Sequence, residues 1–398
     1  MSKVSAQHEK ARGRGASFVR TASPRAAGRP PLAAAVLLAI AAGASAQTTD
    51  PVFAGWRWAP PAVGSRPAGM GGAFVAIADS VKSAVVNPAG LTLVPVSEIG
   101  LSSGRPWLAA GFGRPRIRVA GYVARTDEAR VELAEVSPGT RGSLDSSVFE
   151  AGLAAGVELH PRVRVGASLA WARLRLEGQR LATGDEGQEA VAATVDGEDG
   201  RVHATAGLLL ILVGANARAL PSLRLGVSYQ PGFDWSAQMN VTSAAAADTI
   251  EIRRPSLIAF GLAWRASDRW SLLAQGDVIR YGEVVDALER NVGDAAAGFS
   301  LANAVEPRLG AEFAAPLWCG CGIVRLRGGL HYRSPGTLLY EGVDPLAAQA
   351  FAPRSWRTVA TLGASFFAEY FGNALRLDLD SRNVFDGPEL SFGIAWRF

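Results

Sequence analysis

The sequence predicts an all-β fold, a transmembrane antiparallel β-barrel of about 14 strands with an N-terminal plug or hatch segment. Three observations predict it. From about residue 97 to the C-terminus, polar and apolar side chains alternate with a period of two, as they do when successive residues of a strand face opposite sides. The segments that carry this rhythm are joined by connections that are short and long by turns. Beyond the first 46 residues, the longest apolar run is Ala206 to Val213, far short of the ~20 residues that a membrane-spanning helix needs.

Composition agrees with strands. Of the 398 residues, 48% are hydrophobic and 19% charged, and the apolar content is spread in short pieces. The formal charge of +4 misleads. Residues 1–46 hold seven basic residues (Lys3, Lys10, Arg12, Arg14, Arg20, Arg25, Arg29) against Glu9 alone; without them 33 basic and 35 acidic residues remain, net −2. A basic protein suggests a nucleic-acid partner, and that reading loses its support. Lys82 is the one lysine after residue 46.

Residues 32–43, LAAAVLLAIAAG, form an apolar core preceded by basic residues and followed by Ala44-Ser45-Ala46. This is the pattern of a secretory signal peptide cleaved after Ala46. The expected organisation is a signal peptide at 1–46, a plug at 47–96 and a barrel at 97–398.

The alternation is clearest near the C-terminus. Val324, Leu326, Leu330 and Tyr332 interleave with Arg325, Arg327, His331 and Arg333. Leu375, Leu377 and Leu379 interleave with Arg376, Asp378 and Asp380. Leu390, Phe392, Ile394, Trp396 and Phe398 interleave with Ser391, Gly393, Ala395 and Arg397. Earlier, Val163, Val165, Leu169 and Trp171 interleave with Arg162, Arg164 and Ser168. A soluble sandwich also alternates, but here the polar side is strongly charged and the apolar side ends in aromatics, as the girdles of membrane barrels do. Connections at 114–115, 160–161, 215–220, 266–267, 317–321 and 368–371 are short; those at 127–147, 178–200, 242–251, 282–305 and 335–354 are long. Outer-membrane barrels have short periplasmic turns and longer external loops, which puts both ends of this barrel in the periplasm. The segment 221–241 contains Pro231 and Gly232 and is expected to be one kinked strand.

Residues 47–96 are rich in Pro, Gly and Ala and break the rhythm. Within them Gly69, Gly71 and Gly72 permit tight turns or close backbone approach, Phe74, Val75 and Ile77 supply apolar anchors, Asp79 suits a cap, and Asn87-Pro88 signals a turn. The run Gly69-Met70-Gly71-Gly72-Ala73-Phe74, the AIAD of Ala76 to Asp79, and the NPAGL of Asn87 to Leu91 resemble the FadL/TodX-type channels for fatty acids and hydrocarbons and the related PorV-like outer-membrane proteins. EPRLGAEF at 306–313 is similar to a late barrel strand of these proteins. The resemblance implies a fourteen-stranded barrel with an N-terminal hatch carrying Asn87, Pro88 and Gly90. The glycine-rich start is nearer to the PorV-like branch.

The motifs that carry catalytic chemistry are incomplete in this chain. Gly100 to Gly104 fits G-x-S-x-G around Ser102, but that motif needs a strand-to-helix elbow and here sits at a strand end. Of four histidines, His160, His203 and His331 follow the leader, and none has metal-ligand spacing. Cys319 and Cys321 are separated by one residue. That spacing strains a disulfide, a zinc site lacks further ligands, and two cysteines in a short turn are expected. Arg325, Arg327, His331, Arg333, Arg376 and Asp378 are candidates for the lumen face. Arginines there either receive a carboxylate ligand through paired hydrogen bonds or form cross-strand ion pairs; the latter is expected. Trp396 and terminal Phe398 resemble the signal read by the outer-membrane assembly machinery.

The expected function is therefore non-enzymatic: an outer-membrane channel for passive uptake of small hydrophobic compounds, gated by Gly69 to Leu91. Its partners are outer-membrane lipid, the assembly machinery and a hydrophobic ligand, with no cofactor, metal or nucleic acid. The alternative is a PorV-like protein that helps secreted proteins reach or attach to the cell surface.

Overall fold

The computed structural model describes residues 50–58, 64–103, 107–114, 116–133, 140–183, 189–214, 219–241, 248–319, 321–370, 373–385 and 388–398. The expected leader and its cleavage site lie outside the described residues.

The strands are β1 (Glu98–Ser102), β2 (Trp107–Arg114), β3 (Ile117–Leu133), β4 (Thr140–His160), β5 (Val163–Thr183), β6 (Glu189–Val213), β7 (Ser222–Gln230), β8 (Phe233–Val241), β9 (Asp248–Arg254), β10 (Leu257–Arg265), β11 (Trp270–Ile279), β12 (Phe299–Ser300), β13 (Ala304–Pro316), β14 (Ile323–Arg333), β15 (Leu339–Tyr340), β16 (Arg357–Tyr370), β17 (Asn373–Arg382) and β18 (Glu389–Arg397). The helices are α1 (Ser65–Gly69), α2 (Ser83–Val86), α3 (Gly282–Val292) and α4 (Pro345–Ala350). Fourteen strands close in the order β1 to β7, β10, β11, β13, β14, β16, β17, β18, and β18 pairs back onto β1 with Glu98 opposite Arg397. Every neighbouring pair is antiparallel. The expected barrel and its strand number are therefore present.

The wall breaks where the sequence carries Pro231 and Gly232. β7 stops at Gln230 and β8 resumes at Phe233, so 221–241 is one path in two pieces. β9 and β10 are divided likewise, and β8 pairs with β9 and with the upper part of β6.

The reading of 127–147 and 178–200 as loops is corrected by the structure. Pairing runs on through Leu133 opposite Gly142 and Thr183 opposite Glu189. β3 to β6 are 17, 21, 21 and 25 residues long, about twice the 9–11 that cross a bilayer. The reason the sequence hides this is a reversal of faces. On β5, Leu169 and Trp171 point outward and Ser168 inward; above them Arg173, Arg175 and Glu177 face outward while Ala172, Leu174 and Leu176 are buried. The same switch follows Phe149 on β4, which lies opposite Arg173 and Arg125. The strand rhythm continues, but outside that level the outer face meets water, and the lipid-type pattern disappears.

Below the switch the outer wall is apolar, with Leu108, Val119, Leu153, Leu309, Leu362 and Leu379 all more than half exposed. Soluble monomers do not expose a continuous apolar surface of this kind. Aromatic pairs mark its edges. Phe112 and Phe398 (ring centroids 6.3 Å apart) and Trp270 and Phe313 (4.7 Å) sit at the short-turn end, and Tyr332 stacks on Trp356 (4.9 Å) toward the long-loop end. Trp396 and Phe398 face outward, and the Phe398 amide donates to the Ser97 carbonyl at 3.1 Å.

Two further expectations meet the structure at strand ends. Cys319 and Cys321 are joined in a disulfide, contrary to the expected unbonded pair. The turn between β13 and β14 brings their Cα atoms to 5.2 Å, inside the range a disulfide spans. Ser102 ends β1 facing inward, and the chain proceeds to β2 rather than to a helix.

An outward arginine at mid-wall tests the lipid-facing assignment. Leu309→Arg is expected to lower the unfolding free energy of the barrel in lipid vesicles by about 2–4 kcal/mol, whereas Leu346→Arg on α4 changes it by under about 0.5 kcal/mol. Equal, small effects would contradict a hydrocarbon surround.

Candidate functional site

Residues 64–96 lie against the inward face of the wall almost all the way round. Their path needs backbone freedom at Gly71 and Gly72, whose φ angles are +65° and +82°, the left-handed region that glycine enters without steric cost. Asn87 then shapes the NPA turn. Its side chain accepts from the Ala89 amide (3.3 Å) and donates to the Val75 carbonyl (2.8 Å) and to Leu208 on β6 (3.2 Å), while Pro88 opens a 3-10 turn to Leu93.

The wall makes room with glycine. Ten of its fourteen strands present an inward glycine to this segment. A Cβ on Gly310 would lie 2.8 Å from the Met70 carbonyl oxygen, and one on Gly156 would lie 2.7 Å from that of Pro88. A Cβ on Gly166, Gly207, Gly226 or Gly329 would overlap Ala89, Asn87, Val75 or Gly71. The predicted glycines reciprocate: a Cβ on Gly69 would overlap Asp380, on Gly72 Arg308, and on Gly90 the Ala78 carbonyl. Phe74 is 1% exposed, packed with Met70, Ile77, Leu209 and Leu273.

Polar contacts pin the segment in several directions. The amides of Phe74 and Val75 donate to Gln275 Oε1 at 2.8 and 3.0 Å, and that of Gly71 to Thr361 Oγ1 at 2.8 Å. Arg66 meets Glu312 on β13 through two hydrogen bonds (3.0 and 3.1 Å) and also pairs with Asp79. Burial would raise the Asp79 carboxyl, but Arg66 reverses this and holds it at about 2. The Val81 amide donates to Glu98 at 3.2 Å, and Glu98 in turn holds Arg397 at 2.6 Å across the β1–β18 seam.

The predicted lumen charges enter the same network. Arg327 bonds Glu312, Asp378 and Asp380 at 3.0, 3.0 and 3.1 Å; Arg325 bonds Glu312 at 3.0 Å; Arg376 bonds Asp378 at 3.0 Å. His331 contacts Glu306 at 2.8 Å, and Glu306 also holds Arg57 at 2.7 Å. Arg333 stands apart, exposed at the end of β14 opposite Arg357. These residues are thus brought together, Arg333 excepted, but with each other and with the inner segment rather than around an open space.

The space lies higher. Residues 50–58 run beneath the long-loop end, where Trp58 stacks on Trp235 (5.3 Å) and Trp56 donates to Ser146 (2.8 Å). Asp50 pairs with Arg180 at 3.1 Å. Phe53, Trp56 and Trp58, with Ile252 of β9, Val284 and Leu288 of α3, and Leu301 and Leu338, enclose an apolar cavity. Polar groups at its edge are engaged with each other: Arg253 with Asp234 and Glu283 (3.2 and 2.9 Å), Arg290 with Glu251 (3.1 Å), and Asn291 with both backbone groups of Glu251. The free volume is about 40 Å³. That admits a water or two, whereas an apolar site that takes up benzene is nearer ~150 Å³, so a ring enters only when the lining shifts.

Sequence reasoning did not find this chamber. One signal was available: in 282–292, Val284, Ala287, Leu288 and Val292 recur at helical spacing, and the helix ends at Gly293 with φ +55°. Trp56, Trp58 and Trp235 carried none.

A barrel of this strand number, with its lumen crossed by an N-terminal segment, matches solved structures. The CymD monoaromatic hydrocarbon channel superposes with a TM-score of 0.55 at 16% identity, covering 85% of this chain and 99% of that one. The toluene transporter TodX of Pseudomonas putida gives 0.51 at 12% identity, covering 84% and 96%. The chain has the fold of the TodX-type channels. No protein-family sequence profile matches it, and no curated protein matches it by sequence.

Arg66→Ala leaves half-buried Asp79 without its ion pair, while Glu312 keeps Arg325 and Arg327, a loss of about 1–3 kcal/mol from the seating of the segment. Hydrogen exchange at the Gly71 to Val75 amides is expected to quicken accordingly, with Arg333→Ala as the silent control. Unchanged exchange in Arg66→Ala would show that the ion pair does not hold the segment.

Proposed function

We propose that the protein is an outer-membrane channel for passive uptake of small, uncharged hydrophobic molecules, with the chamber around Trp56 and Trp58 as the first binding site. The observation that carries this reading is the chamber itself, an apolar, aromatic cavity whose rim polar groups are already bonded to one another. A carboxylate entering it would be desolvated beside Arg253 and Arg290, which are already paired with Asp234, Glu283 and Glu251, and that is costly. An aromatic hydrocarbon would lose nothing and would stack on tryptophan. CymD is a monoaromatic hydrocarbon channel and TodX a toluene transporter, both for compounds of that class.

The inner segment is the gate in this reading. Gly69, Gly71, Gly72, Phe74, Asp79, Asn87, Pro88 and Gly90 fill the lumen below the chamber, and a ligand moving along the axis needs them to shift. The short-turn end faces the periplasm, and Phe398 with Trp396 presents the terminus to the assembly machinery.

A second exit is favoured by one observation. β1 has five residues and β2 eight, so within the described residues β3 above Ala124 and β18 before Gly393 pair on one side only, apart from Ser103 bonding to Phe392. A ligand leaving there would emerge at the level of the switch, beside outward Phe392, without moving the inner segment.

A cysteine lock separates the two routes. A Cβ on Gly393 would stand 3.4 Å from the Ser65 Cβ, close to disulfide range, so Ser65→Cys with Gly393→Cys ties α1 to β18. Axial gating predicts that toluene uptake into vesicles falls on oxidation and recovers on reduction; unaltered uptake assigns the lateral exit. Trp58→Ala is expected to open the chamber and to change toluene quenching of tryptophan fluorescence. Absence of any quenching in the unsubstituted protein, together with co-purification of secreted proteins, would favour the surface-attachment role instead.

A further inference from the structure

The short-turn end carries charges that neither the lumen network nor the chamber uses. Arg114 and Arg116 flank the β2–β3 turn, Arg162 lies in the β4–β5 turn, and Arg269 lies in the β10–β11 turn. All four are exposed, and none forms an ion pair with another described residue. The acidic groups nearby do not answer them. Glu158 is held by Arg164 at 2.6 Å, and Asp268 is one charge beside Arg269.

The outward arginines of the tall wall behave differently. Arg125 pairs with Glu128, Arg173 with Glu198, Arg175 with Glu177 and Arg201 with Asp199. The long-loop end also carries exposed arginines in no ion pair with a described residue, Arg333, Arg354 and Arg357, but the chain after residue 46 is net −2, so the unpaired positive charge at the short-turn rim is a local excess.

Depth gives the charges a partner. Phe112 is two residues from Arg114, Ile117 adjoins Arg116, and Trp270 adjoins Arg269; all three aromatic or aliphatic side chains face outward in the apolar band. Guanidinium groups one step beyond that band stand at headgroup level, and their long stems let the charge reach sideways into it. The planar guanidinium matches a phosphate through paired hydrogen bonds.

We propose that Arg114, Arg116, Arg162 and Arg269 form a docking surface for the phosphate groups of anionic phospholipids in the leaflet around the short-turn end. The proposal rests on the barrel lying in a bilayer and not on what it conducts. It also makes the rim selective: a zwitterionic headgroup, with its own ammonium beside the phosphate, gains less from an unpaired guanidinium than phosphatidylglycerol does.

The test uses the full processed chain in vesicles of phosphatidylethanolamine with a minor fraction of phosphatidylglycerol. Lipids that remain bound after gentle extraction are counted by native mass spectrometry. Phosphatidylglycerol is expected to be enriched over its bulk share on the order of tenfold. R114Q/R116Q/R162Q/R269Q should return it to the bulk share, and R125Q/R175Q should leave the enrichment in place. Folding of each variant is checked by heat-modifiable gel mobility. Should the fourfold variant fail to fold, the unsubstituted protein still decides: in ~1 M salt, where charges are screened within about 3 Å, the enrichment must vanish. No enrichment in the unsubstituted protein, enrichment that survives the four substitutions, or enrichment indifferent to salt would each overturn the proposal.

Discussion

Hydrocarbon offers no hydrogen-bond partner to a peptide group, so a strand can cross it only with both edges paired. That constraint closes this wall. β18 returns to β1, and Glu98 lies opposite Arg397 at the seam. Once the wall is closed, each strand meets a different medium on each face, and the two-residue rhythm follows. The reversal at Trp171 and Arg173 has the same origin. The strand is unchanged there; what changes is the medium outside it.

A closed wall encloses a lumen that must be filled or left wet, and here it is filled by the chain itself. Space comes from inward glycines, and position comes from charge. Burying so many ions is costly unless each is bonded, and here Arg327 serves three carboxylates while Glu312 serves three arginines. Glu98 links the inner segment to the seam, because it bonds both the Val81 amide and Arg397. Seating of the segment and closure of the barrel are therefore one cooperative structure, while the chamber above is held by packing of tryptophans. The inner segment and the chamber above it are therefore held by different interactions, ion pairs in one and aromatic packing in the other.

Most of the wall was legible in the sequence, because period-two alternation is local and needs no knowledge of neighbours. The break at Pro231 and Gly232 was legible for the same reason. The extension of β3 to β6 was not, because Arg173, Arg175 and Glu177 facing outward imitate a loop to a reader expecting lipid. The inner segment was marked by Gly71, Gly72 and Asn87, whose backbone roles are intrinsic to the residue. Which charges pair was hidden: Arg327 on β14 meets Asp378 on β17 across β16, a relation fixed by the barrel and not by spacing. The ring of glycines was visible letter by letter, but its meaning appears only when ten strands place one each at the same inward level. The chamber was hidden because Trp58, Trp235 and Leu288 come from three distant segments.

The central claim is that a single wall passes from lipid to water with its faces exchanged. Spin labels placed one at a time along β5 from Val163 to Thr183 in bilayers would test it most directly, by comparing relaxation from oxygen, which concentrates in lipid, with that from a water-soluble nickel complex. Labels at 167, 169 and 171 should favour oxygen, and labels at 173, 175 and 177 should favour nickel, with the intervening positions low in both. A profile in which the outward positions favour the same reagent from end to end would contradict the account.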